Sequence, residues 1–154
     1  KELLNALESG IKVVGGSSMG ALRASELDDM GMIGVGKVYK AYKTGEIEAD
    51  DDVAVVFNPE TMEQHSEALV SMNYNFQMAC REGLISPEDL DELNSAAKSI
   101  FYPKRTYKLV LMKSNLDKAK KDILEEYVNE KGTDIKREDA LLVLKYIKEN
   151  LVDE

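Results

Sequence analysis

The stretch "VVGGSSMGALRASEL", residues 13–27, holds the side chains best suited to chemistry. Within it Gly16-Ser17-Ser18-Met19-Gly20 fits the pattern G-x-S-x-G, with Ser18 at the serine of the pattern. An apolar run precedes it and a helix-like pattern follows, which is the context of a nucleophile elbow. A tight strand-to-helix bend needs residues without bulk on either side, because the backbone is compressed there. The bend presents the middle hydroxyl beside the unpaired N–H groups that open a helix, where the dipole favours negative charge. Gly16, Met19 and Gly20 would then form the turn and an oxyanion hole around Ser18. Two plainer readings fit the same residues: Ser17 or Ser18 caps the helix, or a strand–glycine loop–helix holds a phosphate. No Walker sequence is present, and no G-x-G-x-x-G opens a helix after the first strand.

A serine nucleophile needs a base. His65 is the only histidine, and "TMEQHSEAL" puts it on an acidic helical face in water. The other route is a lysine whose pKa is lowered by burial, as in Ser-Lys enzymes; periodicity does not choose among the lysines. Arg23 follows the serine turn by five residues and could orient a substrate carboxyl, pair with acids or face solvent. The run "EIEADDDVAVVF" crowds Glu48, Asp50, Asp51 and Asp52 before a strand-like segment. Such carboxylates repel one another, which leaves a basic partner, a metal or a solvated turn as readings; EF-hand spacing is absent. Arg105 lies in "FYPKRTY", where a structural ion pair fits better than catalysis. Cys80, in "FQMACREG", reads as a small core residue on a helix.

The elements that must position these residues differ between the two halves. Residues 1–58 hold eight of the ten glycines and both strand candidates, "IKVV" and "DVAVVF". "KELLNALESG" reads as a helix with Leu3, Leu4 and Leu7 on one face and Gly10 closing it. A helix over 20–29 is broken by "GMIGVG", and "KVYKAYKTG" is a further short helix ending at Gly45. "NPETMEQHSEALVSMNYNFQMACREG" reads as one long helix from Asn-Pro to Gly83. In "SPEDLDELNSAAKSIF" Ser86, Pro87 and Asp89 stand where a capping box requires them. Three amphipathic helices follow, near 105–113, 115–131 and 136–150. The fold class is therefore α/β, a short, mostly parallel sheet in the N-terminal half with a predominantly helical C-terminal half.

Composition narrows the function classes. The chain of 154 residues can bury one real core, and its net charge of −9 argues against nucleic acid as the main partner. No apolar run approaches the roughly 18 residues of a membrane span. One cysteine rules out an internal disulfide framework and suits a reducing, cytoplasmic setting. The chain begins at Lys1 with a helix already under way, so upstream residues are expected.

The segment "GGSSMGALRASELDDMGMIGVGKVYKAYKTGEIEADDDVAV" resembles the core of the TfuA-like family. That family's pattern runs HKEI, then G-A-A-S-M-G-A-L-R-A-A-E-L, G-M-x-G-V-G-R-I, D-D-E-V-A-V, S-E-A-M-V-N and a later Y-x-x-R. Lys1-Glu2-Leu3 resembles the end of HKEI. Ser18 falls on the family serine, and Gly20, Arg23, Glu26, Gly31, Gly34, Gly36, Asp50 and Asp51 fit. Ser66-Glu67 fits, as do Tyr102 and Arg105. Phe57 stands where many members carry histidine, Lys37 where they carry arginine, and Asp52 where they carry glutamate. The match is dense over 1–70, thinner to about 106 and absent beyond. It suggests a TfuA-like core over 1–106 and a helical C-terminal extension over 107–154 packed on it.

The resemblance implies a partner of YcaO enzymes in peptide backbone thioamidation. In methane-producing archaea, it implies thioglycine formation in methyl-coenzyme M reductase. The implied chemistry is hydrolysis of a thiocarboxylated, ThiS-type ubiquitin-like sulfur carrier, releasing sulfide for the YcaO partner. A Ser-Lys pair is the implied machinery; Lys1 is the lysine that matches a family lysine, so Ser18 and Lys1 are the expected catalytic residues. Arg23, Asp50, Asp51 and Arg105 are the expected substrate- or partner-binding residues. No cofactor or metal is expected. The competing reading is a non-catalytic adaptor that recruits the YcaO enzyme to its peptide substrate.

Overall fold

The structure is a computed structural model and describes residues 1–152. Its Cα packing divides the chain into two compact units, Lys1–Asp50 with Asp134 onward, and Asp51–Thr133. The two strands of the first unit form a parallel pair, and helices make up most of the rest, as the α/β reading requires. No helix among the described residues is long and apolar enough to cross a membrane.

The first unit contains α1 (Glu2–Glu8), β1 (Val14–Gly15), α2 (Met19–Leu27), β2 (Ile33–Gly34), α3 (Lys37–Thr44) and α8 (Ile135–Asn150). β1 pairs in parallel with β2, Val14 opposite Ile33 and Gly15 opposite Gly34. α2 is the crossover between them and buries Ala21 and Ala24 completely. Its first turn lies close against β1: a Cβ on Gly15 would sit 2.1 Å from the Gly20 carbonyl oxygen. Only glycine permits that approach. α8 closes the unit from the far end of the sequence. Its Asp139 is fully buried and accepts from the Lys37 and Val38 backbone amides at 2.9 and 2.8 Å, capping α3 in place of a neighbouring residue. Gly36 has φ +100°, and a Cβ there would run into the Asp139 carboxylate. α3 ends at Gly45, φ +75°, as its sequence indicates.

The second unit is helical: α4 (Leu69–Arg81), α5 (Pro87–Lys98), α6 (Tyr107–Lys113) and α7 (Lys118–Lys131). Met72, Phe76, Leu93, Ala97, Val110 and Leu124 form its centre. The Ser86–Asp89 capping box is present, and Asp89 also takes the Lys120 ammonium at 2.7 Å. Cys80 lies on α4, half-buried beside this core. The segment 107–154 is thus shared, with α6 and α7 in the second unit and α8 in the first.

Three sequence expectations fail. "DVAVVF" is not a strand: Asp50–Asp52 is a turn of 3-10 helix, and the segment makes only an isolated bridge, Phe57 to Gln64. No long helix starts at Asn58. The Asn58 side chain accepts from the Glu60 and Thr61 amides, a local turn that competes with helix, and α4 begins at Leu69. His65 therefore lies exposed in a loop, its amide donating to Val56. Conversely "GMIGVG" does more than break a helix, since it supplies β2. "IKVV" yields a strand only at its end, shifted to Val14–Gly15.

Candidate functional site at the serine turn

The turn between β1 and α2 is held from three sides. Ser17 has φ +68°, a left-handed conformation that costs a non-glycine residue about 1–3 kcal/mol. Its Oγ donates to the Lys136 carbonyl at 2.8 Å, tying the strained residue to the first turn of α8. Gly16 faces the same helix, and a Cβ on it would lie 2.6 Å from a Val143 methyl. Ser18 follows as the N-cap of α2. Its amide donates to Gly16, and its carbonyl accepts from Ala21 and Leu22. The backbone strain thus sits at Ser17, one residue before the hydroxyl singled out by the G-x-S-x-G pattern.

The two serine hydroxyls have different fates. Ser17 is bound to α8. Ser18 is half-buried, makes no side-chain cap, and has no hydrogen-bond partner for its Oγ among the described residues. Simple helix capping by either serine is therefore not what the turn does. The Met19 and Gly20 amides, the first two of α2, likewise have no acceptor among the described residues. An unengaged hydroxyl, two unengaged amides and the positive end of a helix dipole share one bend. This set can deliver a nucleophile and receive an oxyanion; one such donor is worth about 10²–10³ in rate.

The other expected site residues scatter. Lys1 is exposed at the N-cap of α1. Together with Arg23, Glu26 and Leu27 it lines a cavity of about 310 Å³. Arg23 pairs with Glu26 at 2.5 Å, both about half exposed, an ordinary i,i+3 surface pair worth little in stability. Asp50 is exposed; Asp51 is half-buried and offers its carbonyl to Arg105 at 3.1 Å. Arg105 is buried, with guanidinium bonds to the carbonyls of Ala97, Asp51 and Ile100. Burial pushes it below the ordinary arginine value, opposed by Asp51 and Asp52. Its own carbonyl accepts from the Glu67 amide at 2.8 Å, so the Ser66-Glu67 and Tyr102–Arg105 motifs meet as backbone scaffolding. Asp52 is buried against Lys98. No three His, Cys, Asp or Glu side chains converge as a metal site among the described residues.

Sequence reasoning missed Lys136 and Asp139. Lys136 is half-buried, and burial pushes its amine below the ordinary lysine value, with the Asp134 charge opposing. Asp139 lies one helical turn from buried Ile135, on the apolar side of α8. A carboxylate four residues from a core isoleucine was the available signal, because such a residue is buried only with partners.

A family model described as TfuA-like protein matches residues 1–106. The chain belongs to the TfuA-like family. Both strands and the whole serine turn lie inside the matched segment, whereas α8, which grips that turn, lies outside it. Membership is consistent with a role in YcaO-associated thioamidation. No curated protein matches the chain.

Proposed function

We propose that this TfuA-like protein releases sulfide from a thiocarboxylated, ThiS-type sulfur carrier for a YcaO partner, with Ser18 as nucleophile. The observation that carries this reading is the Ser18 hydroxyl, left without a partner beside the two open amides of α2. Ser18 Oγ loses its proton to a neutral amine and attacks the thiocarboxylate carbon. The tetrahedral oxyanion is held by the Met19 and Gly20 amides. The carbon–sulfur bond then breaks, the proton held by the amine passes to sulfur, and hydrosulfide leaves. Water attacks the resulting ester, returning Ser18 and a carrier carboxylate. Arg23 and Glu26, at the cavity beside α2, are placed to meet the carrier's extended C-terminal tail. The peptide finally modified is then the partner's substrate, a methyl-coenzyme M reductase glycine in the archaeal case.

The test is sulfide release from a thiocarboxylated carrier by the wild type and by Ser18→Ala. Loss of at least about 10³-fold is expected from removing the nucleophile. Release at the wild-type rate would overturn the reading. A second reading, the non-catalytic adaptor, draws on the exposed apolar side chains Leu141 and Leu144 of α8. It requires capture of the YcaO enzyme together with its peptide, and unchanged thioamidation by Ser18→Ala.

A further inference from the structure

We propose that Val55 and Phe57 form an open strand edge that takes an extended peptide segment of a partner protein, apolar at its centre and basic at its ends. The run 53–57 has the composition of a strand and forms one side of a narrow hairpin. The Val56 amide donates to the buried Ser66 hydroxyl at 2.9 Å, and the Val56 carbonyl accepts from the His65 amide at 2.7 Å. The Asn58 amide donates to the Glu63 carbonyl at 2.8 Å, and the Asn58 carbonyl accepts from the Met62 amide at 2.9 Å. Phe57 stands opposite Gln64 between these bonds, at the non-hydrogen-bonded position of an antiparallel pair. Successive residues of an extended chain aim their N–H and C=O groups to opposite sides. Val55 and Phe57 therefore aim theirs away from the hairpin, and among the described residues nothing bonds those four groups. The two side chains share one face, Phe57 45% exposed and Val55 half-buried.

The edge is held ready for a guest. Buried Arg105 donates to the Asp51 carbonyl at 3.1 Å before the run starts, Ser66 fixes its middle, and the Asn58 side chain fixes its end by accepting from the Glu60 and Thr61 amides. A segment already fixed in the extended form adds a strand without the entropy of ordering itself. The guest's main chain then bonds Val55 and Phe57, and its alternate side chains rest on theirs. Charge chooses the guest. Glu60 and Glu63 are exposed at the turn end; at the other end Asp51 is half-buried and Asp52 pairs with Lys98. Antiparallel pairing of two copies would set Val55 against the second copy's Phe57 and carry the Asp51 end of each run to the Glu60 end of the other. Like charges facing one another oppose that pairing, as does the net charge of −9 on each chain. A guest with lysine or arginine at its ends meets the same carboxylates favourably.

The experiment titrates a capped synthetic peptide of alternating valine and threonine, with lysines at both ends, into the full chain. Amide NMR with hydrogen exchange and calorimetry follow the binding. The Val55 and Phe57 amides should shift and gain protection, while those of Val56 and Asn58, already bonded, should not. The same peptide N-methylated at the residues that face the edge should bind about tenfold or more weakly, because its donors are gone. The glutamate-ended peptide should also bind more weakly. Val55→Pro removes one donor of the edge, spares the Val56 and Asn58 bonds and should weaken binding. Should it fail to fold, the N-methylated peptide decides. Ser18→Ala should bind as the wild type does, so the result stands apart from the nucleophile reading. No binding, equal binding of the N-methylated peptide, or protection confined to other amides overturns the edge. Equal binding of the glutamate-ended peptide overturns the basic guest. A dimer in sedimentation whose Val55 and Phe57 amides are protected without peptide overturns the proposal in favour of a second copy.

Discussion

Replacing Asp139 with alanine should loosen α3 and, through α8, the serine turn. The Asp139 carboxylate is fully buried and takes two amide donors, Lys37 and Val38, at 2.9 and 2.8 Å. A hydrogen bond to a charged group contributes about 1.5–3 kcal/mol, and a buried donor left unpaired costs about 1–3 kcal/mol. Asp139→Ala leaves both amides unpaired, so a loss of about 3–5 kcal/mol is expected, a large share of the about 5–15 kcal/mol that holds a domain together. Asp139→Asn keeps one acceptor oxygen and should lose about half as much. Urea unfolding gives the free energies, and hydrogen exchange at the Lys37 and Val38 amides localises them. Both amides should lose protection in Asp139→Ala before the second unit's core helices do. A change below about 0.5 kcal/mol, the range of a neutral surface substitution, would refute Asp139 as the tie between α8 and α3.

Gly15→Ala should unfold the first unit or sharply lower its midpoint, because its Cβ would meet the Gly20 backbone at 2.1 Å; a melting curve like the wild type's would contradict that packing. Arg105→Met strands the carbonyls of Ala97, Asp51 and Ile100, and a loss of about 2–4 kcal/mol in urea unfolding is expected. A binding role for Arg105 would instead leave stability intact and weaken carrier affinity. The Asp89 carboxyl is held below the ordinary value by Lys120 first and the Ser86 amide second. A depressed acid binds fewer protons folded than unfolded, so its stabilisation is present above the unfolded value of about 3.9 and fades as pH falls towards the folded one. Thermal melts of wild type and Asp89→Asn should therefore converge on acidification; a gap that widens would contradict the pairing.

The local signals were legible where one segment decides its own structure. The capping box at Ser86–Asp89, the left-handed glycine after α3 and the three C-terminal helices follow from side chains within a few residues of the ends they fix. The G-x-S-x-G bend was legible for the same reason. What escaped was tertiary. β2 is two residues long and exists because β1 lies beside it. The 52–57 run has strand composition but no partner strand, and the Asn58 turn takes the residues that helix would have used. Ser17 was read as a possible cap, yet its hydroxyl goes to a carbonyl 119 positions away. The same distance hid Lys136: nothing near residue 136 announces a serine turn near residue 18.

The most direct measurement is the mass of the protein trapped during turnover with a thiocarboxylated carrier. The wild type should carry the carrier's acyl group on Ser18, located by peptide mapping, and should release hydrosulfide in step with its formation. Ser18→Ala should carry none and release none. Sulfide released at full rate without an acyl adduct, or by Ser18→Ala, would contradict a serine nucleophile at this bend.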